Sequence, residues 1–211
     1  MKGDNNLKNR GFVFVDIDGT INTFRQVDHC IVKEIFKKYK QVMICDKMLW
    51  KINELDFISN SMYIFKLRIL IYSILSFTSY KKNIKRYENL YIEYTLKEVD
   101  KNYILHLNRL IKVGFEIYLV THNEFTEAFY HFFPVKVLKN KQKYIKSFNK
   151  EKKISYMIGN NYTDDLKTPI SLGIETIYIG KSRLVKGIIT GRAKNFSNIE
   201  EAVNFIIEKV N

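Results

Sequence analysis

Residues 12–21 (FVFVDIDGTI) place two carboxylates, Asp16 and Asp18, at the end of an apolar, β-branched run and follow them at once with Gly19 and Thr20. A run of this kind reads as a buried strand. Ending it in DIDGT delivers acidic side chains to the carboxyl edge of a sheet, where open α/β folds bind ligands. Strand alternation aims Asp16 and Asp18 the same way. Gly19 permits a sharp turn and a close approach of a ligand to the backbone. Two carboxylates this near repel unless a proton or cation separates them, and a divalent metal is the obvious separator.

The rest of the chain supplies the sheet that such a strand requires. From residue 100 onward helical and strand patterns alternate. Apolar positions at Ile104, Leu107, Leu110 and Ile111 precede Gly114 and a strand over 115–120. Helix–strand units follow over 124–133 with 135–138, over 142–148 with 154–158, and over 164–172 with 176–179, before a last helix over 199–210. This alternation implies a parallel sheet with right-handed crossovers. Residues 22–99 contain no Gly or Pro and are helix-compatible throughout. They are too long for a loop and too short for a second sheet domain. The expected organisation is therefore an α/β core, residues 1–21 and 100–211, with an all-α cap inserted over 22–99.

Inside that cap, residues 69–80 (ILIYSILSFTSY) carry no charge and are flanked by Lys66, Arg68, Lys81 and Lys82. Twelve residues are too few to span a bilayer, which takes about 20. The stretch is expected to be buried in the cap or to form a homodimer contact through it, with a membrane-surface contact as the rival. Trp50 and the many cap Tyr and Phe residues are read as cap core. The two cysteines, Cys30 and Cys45, fit neither a disulfide framework nor a metal-ligand spacing, and Asp28, His29 and Cys30 have no zinc-spaced histidine partner. The polar N-terminal segment is no signal peptide, so a cytoplasmic location is expected. The net charge is +13, shared almost evenly between residues 22–105 and 106–211. Without a basic tail or stripe, it does not call for a nucleic-acid partner.

Three further features complete the pattern begun at Asp16. The strand over 115–120 ends in Thr121, His122 and Asn123; a lysine-rich segment follows; and the strand over 154–158 runs into GNNYTDD, residues 159–165. With these in order the chain resembles the haloacid dehalogenase superfamily, whose four motifs would be DIDGT, the LVT ending in Thr121, a lysine, and GNNYTDD. The resemblance implies a Rossmann-like core with a helical cap, and a Mg2+-dependent phosphatase acting on a small phosphorylated metabolite. It makes Asp16 the nucleophile that forms an aspartyl phosphate, and Asp18 the general acid and base. An acid at the position of Asp18 accompanies phosphatases and phosphomutases in this superfamily, whereas dehalogenases lack it. Thr121 and the lysine would hold phosphoryl oxygens, and the substrate side is expected at Gly19, Thr20, Thr121, His122, Asn123 and that lysine. Magnesium would draw oxygen ligands from Asp16, Asp18, Asn160, Asp164 and Asp165.

Two positions depart from a simple reading. Residues 135–153 hold eight lysines. Lys141 is the choice, because Ile145 and Phe148 follow at helical offsets and put it at the start of a helix packed on the sheet. Lys139 and Lys143 are the alternatives. The family usually has Asp where this chain has Asn160, which removes one negative charge from the metal site. Counting back eight residues from Gly173 makes Asp165 the motif acid and leaves Asp164 to approach the metal. Asn160 motivates one rival reading, an attenuated binding or regulatory protein. The positive charge motivates another, a phosphatase acting on nucleic-acid ends.

Overall fold

The computed structural model describes residues 10–17, 20, 24–53, 62–98, 101–122, 133–138, 140–180 and 183–211. The strand foreseen around residue 12 is β1 (Gly11–Asp16), and it lies in the middle of a parallel sheet. On one side stand β2 (Phe115–Thr121) and β3 (Val135–Val137). On the other stand β4 (Ile154–Gly159), β5 (Glu175–Ile179) and β6 (Lys194–Phe196), giving the order β3-β2-β1-β4-β5-β6.

The packing explains why β1 is uniformly apolar. Val13, Val15 and Ile17 face Leu107 and Leu110 of α5 (Lys101–Lys112) and Ile199, Val203 and Ile206 of α9 (Ile199–Val210). Phe12 and Phe14 cluster instead with Ile145 of α6 (Lys141–Glu151). Helices cover both faces, so both sets of alternating positions must be apolar. The same alternation assigns Asp16, two residues beyond Phe14, to the α6 face. The chain runs outward from β1 to β2 and β3, then returns past β1 to build β4, β5 and β6. Its strand order therefore reverses between β1 and β4, and open parallel sheets bind ligands at such a reversal.

Between β1 and β2 lie α1 (Phe24–Phe36), α2 (Lys40–Asn53), α3 (Met62–Leu75) and α4 (Tyr80–Glu98). They enclose an apolar cluster of their own, with Val27, Ile31, Phe36, Ile69, Tyr72, Tyr87 and Tyr91 among its buried members. A tyrosine-rich interior must give its hydroxyls partners. Tyr87 donates to Asp28 Oδ1 at 2.6 Å and Tyr72 to Asp46 Oδ1 at 2.7 Å. Arg68 of α3 pairs with Asp28 of α1. Burial pushes the Asp28 carboxyl above the usual carboxylate range, against the opposing pull of Arg68. Asp28, His29 and Cys30 lie on helix α1, with Asp28 buried inside the helical cluster. The side chain of Trp50 lies outside the described residues.

The charge-free stretch 69–80 is divided by its helix. Ile69, Tyr72, Ser73 and Ser76 are buried, whereas Leu70, Ile71, Ile74 and Phe77 are exposed. α3 ends in a tight turn in which Phe77 N–H donates to Ile74 O at 3.1 Å and Thr78 N–H to Ser73 O at 2.9 Å. That pairing is a Schellman motif, which puts Phe77 where glycine is usual. Its φ of 52° is left-handed, a conformation costing about 1–2 kcal/mol for a residue with a Cβ.

Elsewhere the elements follow the expected order with local differences. The helix read over 124–133 falls on residues outside the described set, which resumes at Phe133. In place of one helix over 164–172 the chain forms a π-turn (Tyr162–Leu166) followed by α7 (Lys167–Ser171). Pro169 has no N–H to continue a regular ladder, and single π-turns inside helices are often found at functional sites. α8 (Arg183–Ile189) and β6 had no counterpart in the sequence reading. β6 is three residues, KNF, at the sheet edge, too short and polar for a strand signal. Phe77→Gly is expected to raise the unfolding free energy by about 1 kcal/mol, measured by urea denaturation.

Candidate active site

At the C-terminal end of β1, Asp16 is only 5% exposed. Its partner comes from α6, where Lys141 is the first helical residue and Asn140 caps the helix by accepting from Lys143 N–H. Lys141 and Ile145 are the buried residues of α6, one turn apart on the face that packs against Phe14. That face carries the ammonium of Lys141 to the sheet edge. Its Nζ donates to Asp16 Oδ1 at 2.7 Å and to Asp165 Oδ1 at 2.7 Å. Burial on its own would lower the affinity of Lys141 for its proton. The two carboxylates more than offset burial and hold the group above the ordinary lysine range, so it stays charged. Thr20 Oγ1 donates to Asp16 Oδ2 at 3.2 Å, which fixes the orientation of the carboxylate from the other side.

The loop after β4 is wrapped around Asp165. Its Oδ2 accepts from the backbone N–H groups of Asn160, at 3.1 Å, and Asn161, at 3.0 Å. A Cβ at Gly159 would collide with the Asp165 side chain, so only glycine lets the strand end pass this close. Asn161 Oδ1 accepts from Thr163 N–H at 2.9 Å and Asp164 N–H at 3.2 Å, capping the π-turn. Gln142 of α6 donates to Thr163 O at 2.7 Å and ties the loop to the helix that carries Lys141. Neither Asn161 nor Gln142 was singled out from sequence. An Asn two residues before a backbone donor is the signal of such a cap, whereas Gln142 gave none.

From β2, Thr121 arrives fully buried at the same edge. Next to it His122 donates from Nδ1 to Leu138 O at 2.6 Å, and its Nε2 lies 3.8 Å from Asp164 Oδ1. An open cleft results, lined by Asp16, Lys141, Asp165, His122, Asn160, Asn161 and Asp164. The structure thus brings Asp16, Lys141, His122, Asn160, Asp164 and Asp165 together, with Thr20 bonded to Asp16. Asp18, Gly19, Asn123 and the alternative Lys139 lie outside the described residues. Lys143 is exposed on α6, away from this carboxylate pair.

Three carboxylates and one ammonium leave the cleft with a surplus of two negative charges. Asp16, Asp164 and the amide of Asn160 are all hard oxygen donors, which suits magnesium better than a softer metal. Among the described residues, no three His, Cys, Asp or Glu side chains converge as a metal cluster on their own. A metal here would therefore need the Asn160 amide as well as carboxylates. Asp165 has both oxygens engaged, one by Lys141 and the other by the loop backbone.

Comparison with solved structures shows that this fold is shared with hydrolases of known structure. A haloacid dehalogenase-like family hydrolase from Xanthomonas campestris superposes with a TM-score of 0.52 at 14% identity, covering 95% of this chain and 91% of its own. A hydrolase from Pseudomonas syringae gives 0.54 at 11% identity, covering 94% and 99%. A 2-haloacid dehalogenase from Pseudomonas syringae pv. tomato gives 0.50 at 11% identity, covering 94% and 98%. At these identities the likeness is one of fold. No family model and no curated protein sequence matches the chain.

Lys141→Met would leave two buried carboxylates facing each other. It is expected to lower the unfolding free energy by about 3–5 kcal/mol, and adding Asp165→Asn should recover part of the loss in a double-mutant cycle.

Proposed function

We infer that the protein is a magnesium-dependent phosphomonoester hydrolase that works through an aspartyl phosphate on a small phosphorylated metabolite. The observation that carries this reading is the buried Asp16–Lys141–Asp165 arrangement at the point where the strand order reverses. Lys141 and Thr20 hold the Asp16 carboxylate in one orientation, facing the cleft as a nucleophile must. An Asp16 oxygen forms a bond to phosphorus as the ester oxygen leaves, and Asp18, by its place in the motif, gives that oxygen a proton. Water then attacks phosphorus, Asp18 takes its proton, and the Asp16 carboxylate is released with inorganic phosphate. The Lys141 ammonium and the Thr121 hydroxyl serve the phosphoryl oxygens through charge and hydrogen bonding. When bound by Asp16, Asn160 and Asp164, magnesium would supply further neutralisation of phosphoryl charge.

One structural relative is named a 2-haloacid dehalogenase, a chemistry that also suits an aspartate at the end of β1. The acid at position 18 supports the phosphatase instead, because a dehalogenation step needs no proton donor for a departing halide. A second reading rests on Asn160: a chain that keeps the cleft but binds rather than turns over.

Release of p-nitrophenol from its phosphate with magnesium separates these. Activity is expected for the native chain, none above background for Asp16→Asn, and a loss of about 10²–10⁴-fold for Asp18→Asn. Absence of turnover at saturating magnesium would favour the binding reading, and halide release from a 2-haloacid would favour the dehalogenase. Asn160→Asp is expected to lower the magnesium concentration for half-maximal activity by about tenfold, read from a magnesium titration.

A further inference from the structure

α3 buries one face and leaves the opposite face apolar. Leu67, Leu70, Ile71 and Ile74 follow one another at intervals of three, one and three residues, which makes a single stripe along the helix. Phe77 extends the stripe past the end of the helix and is 97% exposed. Helix α2 lies beside α3, joined to it by Gln41, whose side chain donates to Leu75 O at 2.9 Å. It adds Ile44 and Met48, one turn apart and both exposed. Soluble surfaces scatter single apolar residues, whereas a contiguous group of this size marks an interaction site.

Among the described residues the exposed charges beside the stripe have one sign. Lys37, Lys38, Lys40, Lys47, Lys81 and Lys82 are exposed around it. Among the described side chains between residues 37 and 86 the acid is Asp46, and it is fully buried. A second copy of the chain packed by two-fold symmetry would set these lysines against their own kind, with repulsion at the rim. An anionic surface meets them with complementary charge. Phe77 adds an independent indication. A bulky aromatic held at a left-handed position and projecting into solvent gains nothing from the fold around it, where glycine would do better. A bilayer interface accepts such a side chain without a matching pocket.

We propose that the α2–α3 face is a docking surface for a membrane leaflet rich in anionic phospholipid. The apolar stripe lies in the plane of the interface, Phe77 inserts at the level of the acyl boundary, and the lysines contact headgroup phosphates. No helix among the described residues is long and apolar enough to cross a membrane, so the contact is peripheral. It involves none of the residues assigned to the cleft and holds whether or not the cleft hydrolyses phosphate esters.

Flotation of the full chain with vesicles tests this. Vesicles of phosphatidylcholine with about 30% phosphatidylglycerol should retain the protein at least about tenfold better than phosphatidylcholine alone, and about 0.5 M salt should release it. Phe77→Gly, which is expected to stabilise the fold, should reduce binding about tenfold, and Ile74→Glu with Phe77→Glu should abolish it. Asp16→Asn should bind as the native chain does, which keeps this test separate from that of the cleft. Equal or no binding to the two vesicle types would overturn the proposal, as would binding unchanged in Phe77→Gly. A dimer in solution that Ile74→Glu dissociates, with no vesicle binding, would assign the stripe to a second copy instead.

Discussion

One ammonium group holds the sheet edge together. Lys141 reaches Asp16 on β1 and Asp165 beyond β4, the two sides of the crevice where the strand order reverses. Without a cation between them, two buried carboxylates this near would not both ionise. The remaining geometry can be followed outward from that point. Ile145 seats α6 so that Lys141 can reach, Asn140 starts the helix, and Gln142 ties it to the loop. Asp165, fixed by Lys141, gathers the backbone of Asn160 and Asn161 and requires glycine at position 159. Each contact constrains the next, so the cleft is organised before any ligand arrives, as preorganised electrostatic sites require.

The arrangement also divides labour among acids that look alike in sequence. Asp16 faces the cleft with its orientation fixed from two sides. Asp165 holds Lys141 with one oxygen and the backbone of the loop after β4 with the other. Asp164, one residue away, stays partly open and meets His122 across the cleft. The π-turn between Tyr162 and Leu166 gives the adjacent pair these different surroundings.

Much of this was legible in the sequence because it rests on short-range patterns. The run before Asp16 gave the central strand, and the helical offsets from Lys141 to Ile145 and Phe148 pointed, among eight lysines, to the one buried between Asp16 and Asp165. Counting back from Gly173 selected Asp165 as the motif acid, and Asp165 is the carboxylate that meets Lys141. Illegible features depend on partners far apart in the chain or on signals too short to register. Asp28 meets Arg68 forty residues later, and neither residue announces the other. β6 is three polar residues whose pairing comes from the neighbouring strand rather than from its own pattern. The charge-free segment 69–80 could be recognised as unusual, but which of its residues face inward depends on where α1 and α4 pack.

The position of β1 also has a consequence for assembly. Its neighbours β2 and β4 begin about a hundred and about 140 residues later, so β1 cannot be paired on either side until a long stretch of chain has been brought back to it. Long loops must close before those contacts form, which slows such topologies and leaves apolar strands unpaired meanwhile. Phe12 to Val15 is a segment of the kind that sticks to its own copies when left open. The helices α1 to α4, with local contacts and a cluster of their own, can gather while it waits. Asp16 and Asp18, set directly after the run, put charge where an intermolecular strand would have to extend, and so guard the nascent chain before any cleft exists.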